Sequence, residues 1–154
     1  LPCLKSIVLH RCGVYSQDYL LPLLSSSKRL ASVSIDSMHW LTSLVLQITS
    51  LRSITLERCD RLEVVNIGCF STVSAQLTSL ARVTSVIVQS SHIEWIEMEK
   101  LPLLQQFSAR ASKVDKIEAW SCPVLKEVDV VSSTPVRVEG DANIPVRLVQ
   151  IERA

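Results

Sequence analysis

The chain has 154 residues, 47% of them apolar, and sixteen basic residues against fifteen acidic ones leave a formal charge of +1. That length is one domain's worth, and that composition excludes disordered and collagen-like classes. The apolar runs are too short to span a bilayer, and no basic excess marks a nucleic-acid binder, so a soluble module is expected, with no nucleic acid, no membrane insertion and no cofactor.

Cys3, Cys12, Cys59, Cys69 and Cys122 are odd in number and lack C-x-x-C spacing, which signals neither a disulfide framework nor a zinc site. No metal is expected. The chain opens mid-phrase at Leu1-Pro2 without a leader or lipidation motif. Residues 1–154 therefore read as a single solenoid domain from a longer array, with flanking repeats of the same chain on either side. The lack of an N-x-S/T sequon tilts the setting towards intracellular.

In chain order, Leu4-x-x-Ile7-x-Leu9-x-x-Cys12 is a first phrase, closed by Gly13. Ser16-Gln17-Asp18 then caps a helix over roughly Tyr19–Ser26, with Leu20, Leu21, Leu23 and Leu24 as its apolar stripe and Pro22 in the first turn. The run Ser25-Ser26-Ser27 closes it.

From Leu30 onward two series each step by twenty-one residues. Series A is anchored at Leu30, Leu51, Thr72, Ile93, Val114 and Pro135, and series B at Leu41, Leu62, Val83, Leu104, Leu125 and Val146. The anchor and the residues three and five later are nearly always apolar, as in Ile54 and Leu56 or Val65 and Ile67; the phrase weakens at Thr72–Leu77 and at Pro135 with Gly140. Spacing by two is strand alternation, and the intervening residues must turn the chain. A mainly β fold follows: a right-handed parallel solenoid with two short strands per coil, stacked about 4.8 Å apart into two parallel sheets.

The phrase L-x-x-L-x-L-x-x-C, as in Leu51-Arg-Ser-Ile54-Thr-Leu56-Glu-Arg-Cys59, resembles the strand segment of leucine-rich repeats, and the resemblance covers nearly the whole chain. The nearest variety is the short nested type, with the leucine phrase in both halves of the repeat; receptor L domains are a more distant likeness. The sequence departs from the family in having no Asn at the usual turn position. The resemblance implies a binding scaffold that presents a sheet surface to another macromolecule.

Several columns have structural readings. Met38, Cys59, Leu80, Leu101 and Cys122 share one position, so Cys59 and Cys122 are expected to fill the core; three coils apart, about 14 Å, they lie beyond disulfide reach. Thr49, Phe70, Ser91, Ser112 and Ser133 share another, where hydroxyls would bond turn backbone. His10, His39 and His92 lie in unrelated columns with no carboxylate, Ser or Cys at a recurring offset, so no triad is expected and the chain is not read as an enzyme.

The outward columns of series A carry the binding expectation. One holds Ser34, Thr55, Gln76, Glu97, Glu118 and Glu139; the next holds Asp36, Glu57, Thr78, Glu99, Trp120 and Asp141; a flanking one ends in Trp95, Lys116 and Arg137. Like charges stacked on neighbouring strands cost stability, and aromatic anchors ringed by charge are what a hot spot looks like. Glu97, Glu99, Glu118, Glu139, Trp95 and Trp120 are the expected contacts with a basic protein partner. The bland reading has Lys100, Lys116 and Arg137 simply neutralising the acids. In series B, Val45, Val64 and Ile87 form an apolar patch expected to lie under a flanking segment. Two alternatives remain: a carbohydrate-active or carbohydrate-binding parallel β-helix using Glu97, Glu118 and Trp120, and a structural spacer within a longer solenoid.

Overall fold

The computed structural model describes residues 3–12, 17–141, 144 and 146–150. In chain order the elements are β1 (Ser6–His10), α1 (Gln17–Ser25), β2 (Ser32–Asp36), β3 (Ser43–Gln47), β4 (Ser53–Glu57), β5 (Val64–Gly68), β6 (Thr72–Thr78), β7 (Ser85–Gln89), β8 (His92–Glu99), β9 (Gln106–Arg110), β10 (Lys113–Trp120), β11 (Glu127–Ser132), β12 (Arg137–Gly140) and β13 (Val146–Gln150). Among the described residues they form two all-parallel sheets, one of seven strands in the order β1-β2-β4-β6-β8-β10-β12 and one of six in the order β3-β5-β7-β9-β11-β13. The chain alternates between the sheets, building a β-solenoid of about five turns with coils of about 21 residues.

The alternation within each phrase decides which side chains face in. Ile54 and Leu56 on β4, and Val65 and Ile67 on β5, are all at 1% exposure or less, and the equivalent residues of neighbouring coils stack on them in register. One continuous core of buried apolar side chains therefore runs between the sheets. Met38, Cys59, Leu80 and Leu101 line one edge of it as expected, while Cys122, nearer the end of the stack, is only half-buried. Burial pushes the Cys59 thiol's pKa up, which suits an inert filler.

Among the described residues, six coils leave the seven-stranded sheet through one left-handed residue. Arg11, Ser37, Arg58, Ser79, Lys100 and Ser121 all have φ between 46° and 57°, and none is glycine. The position directs a backbone N–H to the next coil: Ser37 donates to the Glu57 carbonyl at 3.0 Å and Ser79 to the Glu99 carbonyl at 2.9 Å. A β-turn follows, closed for example by Leu104 N–H on the Leu101 carbonyl at 3.3 Å, with Pro102 at the position where its fixed φ is favoured. At the opposite corner, Ser91 Oγ donates to the Phe70 carbonyl at 2.6 Å and Ser133 Oγ to that of Ser112. The hydroxyl column bonds turn backbone as its chemistry predicts.

Four details depart from the sequence reading. Thr72 is exposed, and Val73 fills the core in its place; the register then shifts between Val73 and Ser74, with Glu94 of β8 as the extra residue, so that β6 is a regular strand. Helix α1 begins at Gln17, so Pro22 lies inside it rather than in its first turn and omits one intrahelical hydrogen bond. The helix replaces a strand in the first coil and packs beside β3, burying Leu20 and Leu24. Finally, Val146 pairs with Val128 and Arg147 with Asp129, so the last coil arrives three residues early and Val149 is not the inward partner of Val128. A Cβ on Gly140 would collide with the Ala119 carbonyl and with Ile144, so the chain turns back tightly where β12 ends. Leu1, Pro2, Gly13 and Ser16, each named above, lie outside the described residues.

The left-handed column yields a stability prediction. An L-residue there forgoes about 1–2 kcal/mol, and glycine removes that strain at a smaller unfolded-state cost. Ser79→Gly should leave stability unchanged or raise it by up to about 1 kcal/mol, and Ser79→Val should lower it by about 1–2 kcal/mol, read from urea denaturation midpoints.

Candidate interaction face

The parallel register brings all six expected contact residues onto the outward face of three adjacent strands. Gln76, Glu97, Glu118 and Glu139 lie opposite one another across β6, β8, β10 and β12; Trp95 lies opposite Lys116, and Glu99 opposite Trp120. Trp95 and Trp120 stand four positions apart along the strand direction, about 13 Å, with the glutamate column between them. Trp120 is 40% exposed and Trp95 half-buried.

The charges are unevenly compensated. Lys116 Nζ bridges Glu118 and Glu139, the latter at 3.3 Å, and Arg137 Nη2 meets Glu139 at 2.5 Å. Contact with Lys116 and Arg137 holds the Glu139 carboxyl below its usual range. Lys100 reaches Glu99 only at 4.0 Å. Glu97 accepts a hydrogen bond from Gln76 Nε2 at 3.3 Å and has no ion pair among the described residues. Desolvation pushes its pKa up, and the neighbouring Glu118 and Glu99 push it further. The bland reading thus accounts for Glu118 and Glu139, whereas Glu97 has no ion pair among the described residues and only a partial offset from the nearby Lys116.

The histidines overturn an expectation. Each meets an aspartate of the following coil: His10 Nδ1 to Asp36 Oδ2 at 2.6 Å, His39 Nδ1 to Asp60 Oδ1 at 2.9 Å, and His92 Nε2 to Asp115 Oδ2 at 2.7 Å. His39 and Asp60 are one repeat apart, a signal that was available; the His10–Asp36 offset is stretched by α1, and His92, which lies opposite Lys113, reaches two residues further along β10 to Asp115. Asp36 also takes a two-pronged contact from Arg58, at 2.9 and 2.8 Å, which with the Ser37 and His10 hydrogen bonds holds its carboxyl far below the usual range. Thr72 Oγ1 lies 3.3 Å from His92 Nδ1, which lines up hydroxyl, imidazole and carboxylate. Lys113 shares that carboxylate at 3.2 Å, and Thr72 stands on an exposed strand start, so the row ties neighbouring coils together.

The apolar patch on the six-stranded sheet is discontinuous. Val45 and Val64 are 44% and 38% exposed, but Asn66 separates Val45 from Ile87 in their shared column. Among the described residues no group of three or more His, Cys, Asp or Glu could hold a metal ion, and no helix is long and apolar enough to cross a membrane. Comparison with family models, with curated proteins and with solved structures finds no match.

The two kinds of carboxylate predict opposite pH responses. Asp36 is stabilised ionised, so its contribution is present above the ordinary aspartate range and is lost as pH falls through its folded value. Asp36→Asn should therefore lower the melting temperature at neutral pH and differ progressively less below pH of about 4. Glu97 is destabilised ionised, so its cost is present above its folded pKa and relieved as pH falls. Glu97→Gln should raise stability at neutral pH by a few tenths to about 1 kcal/mol, the scale of a cross-strand like-charge pair, with the gain vanishing in acid. Melting curves across pH measure both.

Proposed function

We propose that this chain is a non-enzymatic interaction module of the leucine-rich-repeat kind, which binds a protein partner through the outward face of the seven-stranded sheet. The recurring L-x-x-L-x-L-x-x-C phrase supports the family reading. The observation that carries the binding reading is Glu97, which stands on an open sheet face between two tryptophans with no ion pair among the described residues.

A partner's Lys or Arg placed over Glu97 and Glu99 would supply that missing ion pair, and the flanking indoles would hold its stem and its cationic head. Trp120, already 40% exposed, would lose its remaining water in the complex. Glu118 and Glu139 take part as a preset pair with Lys116 and Arg137, giving register more than affinity. The basic character of the partner is thereby confined to the β8 row rather than spread over the whole face.

Selection of a displayed random-peptide library on the immobilised protein tests the reading. Binders should be enriched in Lys and Arg, should weaken with added salt, and should lose about tenfold or more in affinity on Trp120→Ala or Glu97→Lys/Glu99→Lys. Binders indifferent to both variants would place the interaction elsewhere.

A further inference from the structure

The corner by which the chain leaves the seven-stranded sheet changes character along the stack. Two and three residues beyond the left-handed position, the earlier coils carry His39-Trp40, Asp60-Arg61 and Ala81-Arg82: His39 is ion-paired to Asp60, and Trp40 is half-buried with its indole N–H donated to the Cys12 carbonyl at 3.0 Å. In the coils that begin with β8 and β10 the same positions hold Pro102-Leu103 and Pro123-Val124. The prolines have a local reason, since each occupies the second position of a turn closed by Leu104 or Leu125 N–H. Leu103 and Val124 do not. They take the third position of the turn, which Arg61 and Arg82 occupy in the two preceding coils, and they are 46% and 38% exposed.

Beside them lies a shallow, open groove of about 580 Å³, floored by Ala81, Pro102 and Pro123 and edged by Ser79, Lys100 and Ser121. Trp120, exposed at the end of β10, immediately precedes Ser121 of the groove's edge, so the sheet face and the groove adjoin there along the chain. The apolar corner and the two tryptophans thus arise in the same two coils, on two different surfaces meeting at one edge. Contiguous exposed apolar surface rimmed by polar residues marks an interaction site.

We infer that the binding surface wraps around this edge, and that its partner is a protein segment carrying a large apolar side chain for the corner groove beside a Lys or Arg for the Glu97–Glu99 row. The inference rests on the sheet-face reading above. Charge decides the occupant: the glutamates on the adjoining face would repel an anionic membrane and reward a basic segment.

Matched sets of short labelled peptides test it by fluorescence anisotropy: basic plus apolar, basic plus serine, and acidic plus apolar. The first set should bind most tightly. Leu103→Asp/Val124→Asp and Glu97→Lys/Glu99→Lys should each weaken it about tenfold or more, while Phe70→Ala, an exposed aromatic at the opposite corner, leaves it unchanged. Should the aspartate pair melt early, Leu103→Ser/Val124→Ser gives the same comparison. Full binding by the corner variant, with loss only on charge reversal, overturns the corner inference and leaves the sheet-face reading standing. Loss only in the corner variant overturns the sheet-face reading and, with it, the basic half of the partner. Binding confined to phosphatidylserine vesicles, or dimerisation abolished by the corner variant without peptide binding, overturns the inference in favour of a membrane or a second copy.

Discussion

The constraint on which the rest of this structure depends is that equal positions of successive coils stack in register. The parallel ladder enforces it along the strands, and the left-handed residues enforce it at the corner, where Arg11, Ser37, Arg58, Ser79 and Lys100 send their N–H to a strand-end carbonyl of the next coil, as Arg58 does to Thr78 at 3.2 Å, and Ser121 sends its own to the Asp141 carboxylate at 2.6 Å. A side chain's nearest non-local neighbours are then its own column-mates. Burial, charge repulsion and hydrogen bonding all become questions about columns, and stability becomes a sum over nearest-neighbour coils. The left-handed column shows how strictly the register is held, for Arg58 and Lys100 adopt a conformation that glycine would take at less cost.

Much of this was legible in the sequence because periodicity is itself the register. The column Gln76, Glu97, Glu118, Glu139 could be written down from spacing alone, and the strands pair in that order. The same holds for the buried rows Ile54 and Leu56 or Ile96 and Met98. What spacing could not supply was side-chain reach. That Lys116 bridges Glu118 and Glu139, leaving Glu97 with only the Gln76 amide, depends on which way a long flexible side chain leans.

Most of the remaining misses share one physical origin, a local change in residue count that the anchors do not announce. At Thr72 the core needs one apolar side chain, and Val73 supplies it; the bulge at Glu94 then restores the step. After Gly140 the last strand arrives three residues early, with Val146 opposite Val128. The His10–Asp36 pair was hidden for the same reason, because α1 lengthens its coil, whereas His92 meets Asp115 by reaching two residues beyond its register partner Lys113. Counting by a fixed period finds neighbours wherever the period is intact, and fails where one residue is added or a turn is cut short.

Because the fold asks so little of its outward columns, they are free to differ from coil to coil. The inward rows and the left-handed corner position carry the stacking, so replacing Ser53 and Ser74 by Trp95 in the same column, or Arg61 by Leu103 at the same corner position, leaves the ladder intact. On the seven-stranded sheet, β2 and β4 faced with serine, threonine and paired charge, and β8 and β10 faced with indole and glutamate, can therefore share one backbone. The asymmetry needs an explanation outside the solenoid's own stability, because neither an exposed Leu103 nor an incompletely compensated Glu97 strengthens the stack. Their meeting at the Trp120 edge, in the same coils, is what a surface shaped by contact with another molecule would display.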